Sequence, residues 1–139
     1  MPQTIREVMT KNPKTVSADS TATQAARIMR DSGIGDVIVV DGKRICGIVT
    51  DRDITVRAMA EGKDPSQMKV TELCSRELVT LKPDDPVDTA VKLMRDKSLR
   101  RVPIVEGEKP VGVVSIGDLA IERDPGSALA DISAAPSNR

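Results

Sequence analysis

Two stretches decide the fold: Gly47-Ile48-Val49-Thr50-Asp51-Arg52-Asp53 and Gly112-Val113-Val114-Ser115-Ile116-Gly117-Asp118. Each leads from an apolar run into a hydroxyl residue, with an aspartate three positions later. They stand 65 residues apart. Shifting the whole chain by that distance lays residues 9–54 over 74–119 without a gap, and 12 of 46 pairs are identical. Chance identity at ordinary composition is roughly 6%, so the chain carries a duplicated unit. Identical pairs fall at demanding places: Gly42/Gly107, Gly47/Gly112, Ala25/Ala90, Met29/Met94 and Asp53/Asp118.

Each copy reads as β-α-β-β-α. A short extended piece (residues 14–17 and 79–82) precedes a helix over about 21–32 and 86–97. Ala22, Ala25, Ala26 and Met29, and then Val87, Ala90, Val91 and Met94, repeat at i, i+3, i+4, i+7, which is one buried helix face. Asp85 followed by Pro86 predicts an N-cap with proline at the first helical position. Apolar runs at 37–40 and 45–49, and at 102–105 and 110–114, flank Asp41-Gly42 and Glu106-Gly107, the marks of two hairpins. Second helices start near Asp51 and Ile116.

A unit of about 50 residues has little core of its own. The fold class expected is therefore α+β, with two pseudo-twofold-related repeats packed sheet to sheet. Residues 4–60 form the first repeat, 61–68 a linker and 69–123 the second repeat. Residues 124–139, with Pro125, Gly126 and Pro136, read as a flexible tail.

Composition narrows the function. The 139 residues contain 21 Lys plus Arg and 21 Asp plus Glu, and no Phe, Tyr, Trp or His. Zero net charge and no aromatic platform argue against a phosphate-backbone or base-stacking binder of nucleic acid. Histidine metal ligation and histidine acid–base catalysis are excluded. Cys46 and Cys74 are too few for a disulfide framework or a four-ligand zinc site, and Cys46 reads as a small buried hydrophobe. No P-loop or catalytic constellation is present, so an enzyme is not expected. No secretory signal pattern opens the chain, and no apolar run is long enough to span a bilayer. A cytoplasmic protein with no membrane partner is expected.

The paired G-x-x-[ST]-x-x-D strings, together with Arg100-Arg101-Val102-Pro103-Ile104-Val105, resemble a tandem pair of CBS (cystathionine-β-synthase) domains over about residues 4–123. As a pair with nothing else attached, the chain resembles the small bacterial regulatory proteins of that family. The resemblance implies a regulatory sensor of an adenosyl nucleotide (AMP, ADP or ATP) that signals to a downstream protein, forms a homodimer and needs no cofactor or metal. The alternative is a dimerisation scaffold that has lost its ligand.

The resemblance also implies two ligand sets, each joining the motif of one repeat to strands of the other. The favoured set is Thr50, Asp53, Leu78, Val79, Leu99, Arg100 and Arg101. The weaker set is Ser115, Asp118, Pro13, Lys14, Ile34, Gly35 and Asp36. Guanidiniums at Arg100 and Arg101 suit a phosphate, and Asp36 repels one. A hydroxyl and backbone N–H groups at a helix start favour an anion, and a carboxylate suits a ribose diol. Thr50 and Ser115 equally fit ordinary helix N-caps.

Overall fold

The computed structural model describes residues 3–74, 78–124 and 126–135. It holds two compact units. One unit lies within residues 14–78, and a later unit joins residues 79–136 to the N-terminal 1–13.

The 14–78 unit holds β2 (Thr15–Ser17), α2 (Ala22–Ser32), β3 (Asp36–Asp41), β4 (Arg44–Thr50) and α3 (Asp51–Ile54). Helix α3 runs on as a π-helical turn over Thr55–Met59. Its sheet has the order β2-β3-β4, with β2 parallel and β4 antiparallel to β3. The later unit holds α1 (Ile5–Val8), β1 (Thr10–Lys11), α4 (Val87–Lys97), β5 (Arg101–Glu106), β6 (Lys109–Ser115), α5 (Ile116–Arg123) and α6 (Ala128–Ala134). Its sheet has the order β1-β6-β5. The α+β class and the duplicated hairpins are as the sequence indicates.

The 65-residue offset survives in fine detail. Both hairpins carry a bulge, between Val39 and Val40 and between Ile104 and Val105. Gly42 and Gly107 open two-residue turns at φ 63° and 66°, the first-position glycine of a type II′ hairpin. The cores match pairwise: Val16, Ala25, Met29, Val37, Val39, Val49 and Ile54 in one unit; Leu81, Ala90, Met94, Val102, Ile104, Val114 and Leu119 in the other. Without aromatics, β-branched and methionine side chains fill the space between helix and sheet.

The sequence misplaces three features. The amide of Val87 donates to the Gln3 carbonyl, Pro86 occupies the N-cap of α4, and the Asp85 carboxylate accepts instead from the Lys82 amide. A carboxylate cap at Asp85 is thus replaced by a main-chain partner from the N-terminal segment. The extended piece at 79–82 is reduced to one parallel bridge, Leu81 to Ile104. Within the expected tail, Ala128–Ala134 form a helix capped by Ser127, whose hydroxyl accepts from the Ala130 amide, and Ala130 is buried. Pro125 and residues 136–139 of that tail lie outside the described residues.

Repeats in the sequence and units in the fold do not coincide. Residues 3–13 serve the later unit: Ile5 and Arg6 donate backbone N–H groups to Asp85 and Pro83, and β1 pairs with β6. The 14–78 unit uses the equivalent residues 68–73. Ala22 donates to Met68 and Val70 to Ser20, the counterparts of Val87 to Gln3 and Ile5 to Asp85. The expected linker is therefore partly structured, with a 3-10 turn at Pro65–Gln67 capped by Asp64.

Candidate functional site

Both motifs sit where a strand meets a helix. Thr50 ends β4 and caps α3. Its hydroxyl accepts from the Asp53 amide at 3.1 Å, and Asp53 Oδ2 accepts from the Thr50 amide at 2.8 Å. Ser115 ends β6 and caps α5 in the same reciprocal way, at 3.1 and 2.9 Å. These are capping boxes. The motif spacing is thus a structural requirement in its own right, as well as a candidate ligand handle. Each carboxylate keeps acceptor capacity on its second oxygen. Burial pushes the Asp118 carboxyl above its ordinary value, while the hydrogen bonds from Ser115 pull it back in part.

The two motifs differ in their amides. In the first, Asp51 donates to the Gly35 carbonyl, Arg52 to the Asp51 carboxylate and Asp53 to the Thr50 hydroxyl. All three amides of the first turn are engaged. In the second, Ile116 donates to the Arg100 carbonyl and Asp118 to Ser115. Among the described residues, the Gly117 amide has no hydrogen-bond partner.

Within each unit the structure brings together residues that the sequence assigns to different sets. Asp36 is the cross-strand partner of Thr50, and Gly35 accepts from Asp51. Arg101 is the cross-strand partner of Ser115, and Arg100 accepts from Ile116. Three aspartates, at 36, 51 and 53, therefore gather at the first motif, and two arginines flank the second. Ile34 and Leu99 close the first helices by donating to Met29 and Met94. Lys14 accepts from Ile38, Val79 packs on the later core and Leu78 is exposed. Of the favoured set, Thr50, Asp53 and Leu78 belong to the 14–78 unit and Val79, Leu99, Arg100 and Arg101 to the later. Of the weaker set, Ser115, Asp118 and Pro13 belong to the later unit and Lys14, Ile34, Gly35 and Asp36 to the 14–78 unit.

Two further residues carry too little sequence signal to be singled out. Arg57, on the π-helical turn, donates to the Leu73 carbonyl at 2.8 Å and so ties residues 70–74 to α3. Its only sequence signal is a basic residue late in a short helix. Cys74 packs against Gly47, where an added Cβ would lie 3.3 Å from its sulfur. Cys46 is half-buried, at the position the β3–β4 register skips. Among the described residues no group of three Cys, Asp or Glu could hold a metal ion, and no helix is long and apolar enough to cross a membrane.

Comparison with known proteins places these observations. The CBS domain family matches residues 5–59 and 70–123. The chain is similar to the CBS domain-containing protein YhcV of Bacillus subtilis, 38% identical over 133 residues, covering 93% of this chain and 94% of that protein. Among solved structures it resembles the hexameric CBS-CP12 protein from bloom-forming cyanobacteria, with TM-score 0.80 and 28% identity, covering 89% of this chain and 74% of that one. It also resembles the CBS domain pair of protein MJ0100 in complex with 5′-methylthioadenosine and S-adenosyl-L-methionine. There the TM-score is 0.81 at 25% identity, covering 91% of this chain and all of that one.

Proposed function

The chain belongs to the CBS domain family, and from that premise we propose that it is a sensor of an adenosyl compound that passes its ligand state to a partner protein. CBS pairs are commonly regulatory ligand-binding modules and generally non-catalytic. The observation that carries the reading is the duplicated strand-to-helix junction, with a hydroxyl and an aspartate locked in one geometry by reciprocal hydrogen bonds. The second carboxylate oxygen is the natural acceptor for a ribose diol. The proposed ligands are AMP, ADP or ATP, with Thr50 and Asp53 as the favoured motif and Arg100 and Arg101 for the phosphate. Ser115 and Asp118, with Lys14 and Asp36, are the weaker set.

One observation favours a second reading. Three carboxylates and no free first-turn amide at the first motif suit an adenosyl compound without phosphate. The ligands in the MJ0100 structure are of that kind.

A thermal-shift panel of AMP, ATP, 5′-methylthioadenosine and S-adenosylmethionine tests both, because a ligand that binds only the native state raises Tm. The expected result is a rise with one class that Asp53→Ala abolishes. No rise with any member returns the chain to the scaffold alternative.

We also propose a cytoplasmic homodimer. Exposed apolar side chains lie on the second helix of each repeat, at Val56 and Met59 and at Ile116 and Ile121. Among the described residues none lies on α2 or α4, so the second helices are the proposed contact. Light scattering at twice the 14.9 kDa chain mass is expected, and a monomer at micromolar concentration overturns it.

A further inference from the structure

Helix α6 lies on the second motif. A Cβ built on Gly117 would stand 2.5 Å from Ser133 Oγ and 2.9 Å from Ser133 Cβ, with Ser115 Oγ at 3.6 Å. Ser133 therefore touches the first turn of α5 on the side where the motif hydroxyl also faces. Gly117 is buried. It is also the residue whose amide has no partner among the described residues, and an unpaired first-turn amide is the group an anion would take. Only glycine lets the helix approach so closely.

Among the described residues of its own unit, no helix equivalent to α6 lies on the first motif. The residue matching Gly117 is Arg52, which is exposed. The chain beyond Met59 turns at Gly62 and runs to α2, where Met68 accepts from Ala22. The same stretch of the repeat is thus spent on α2 in one copy and folded onto the ligand motif in the other.

We propose that α6 is a built-in occupant of the second motif, an autoinhibitory plug that an adenosyl ligand must displace. The proposal rests on the ligand-sensing reading above and assigns its regulation. Helix α6 suits a removable element. It is seven residues long, too short to persist alone. Its buried contact is the small Ala130, while Ile132 is 73% exposed and Leu129 42%. An element docked ten times more often than it is free weakens the apparent affinity behind it about tenfold.

The test uses the full-length chain with Ala130→Glu, which places a charge at the buried contact. A milder variant, Ser133→Ala, removes the hydroxyl that stands over Gly117 and keeps the helix propensity of α6. Hydrogen exchange at the Gly117 amide reads the plug without any ligand, and calorimetry with AMP reads the site. Exchange about tenfold faster in either variant is expected, with AMP stoichiometry rising from one to two per chain. The added equivalent should vanish with Asp118→Ala. Unchanged exchange in both variants overturns the plug, whatever AMP does. Faster exchange with no added AMP overturns the inhibitory role, while AMP binding at the first motif independently decides the ligand-sensing reading.

Discussion

Asp118 and Ser115 hold each other: the Ser115 amide donates to Asp118 Oδ2 at 2.9 Å, and the Asp118 amide donates to Ser115 Oγ at 3.1 Å. The pair anchors α5 and at the same time presents a half-buried carboxylate. Burial raises the Asp118 pKa in the folded state. A group raised on folding contributes stability below its unfolded pKa and loses it as pH rises through the folded value. Replacing Asp118 by Asn removes that dependence. Denaturant titrations at pH 4 and pH 7 should show the unaltered chain losing stability relative to Asp118→Asn as pH rises. A constant difference contradicts the assignment.

Ser98 closes α4 at φ 55°, where the matching residue of the first repeat, Gly33, closes α2 at φ 66°. A side chain is strained in this left-handed region and glycine is not. Ser98→Gly should stabilise the chain by about 0.5–1 kcal/mol, and Gly33→Ala should destabilise it by about 1 kcal/mol. Melting curves of the two variants should move in opposite directions.

Gly112 is where β1 meets β6. An added Cβ would lie 2.6 Å from Met9 Sδ and 2.8 Å from the Thr10 carbonyl oxygen. The carbonyl is backbone and cannot move without breaking the β1–β6 pairing. Gly112→Ala should cost about 2–3 kcal/mol and release residues 3–13 to protease. At Gly47 the neighbour is the Cys74 side chain at 3.3 Å, so Gly47→Ala should cost about 1 kcal/mol or less. Equal losses at the two sites would contradict the difference in contact.

Burial raises the Cys74 thiol to about 11, with Cys46 and Asp53 adding to the rise and Arg57 opposing it. Thiolate is the reactive form. At pH 8 the native protein should alkylate at Cys74 about a hundredfold more slowly than the denatured chain. Mass-resolved labelling checks this, and comparable rates would place Cys74 in an open environment.

The repeat and the elements that local periodicity specifies were legible in the residues alone. The i, i+3, i+4, i+7 faces at Ala22–Met29 and Val87–Met94 specify helices, because only that spacing puts every apolar side chain on one stripe. Glycines at 42 and 107 specify hairpins, because the turn needs a positive φ. Thr50 with Asp53, and Ser115 with Asp118, specify helix starts as well as candidate ligand handles. Partners distant in the chain were not legible. Two residues at Thr10–Lys11 carry no strand signal, and their place beside β6 depends on a bare Gly112 lying next to Met9. The N-cap of α4 escaped for the same reason, since its amide partner is Gln3, far away in the chain. Folding of Ala128–Ala134 over Gly117 escaped too, because small residues such as Ala130 and Ser133 give no periodic stripe. Local pattern fixes which face of an element is apolar. Which distant segment covers that face is decided only when the chain closes on itself, and here that closure lays Ser133 of α6 against Gly117.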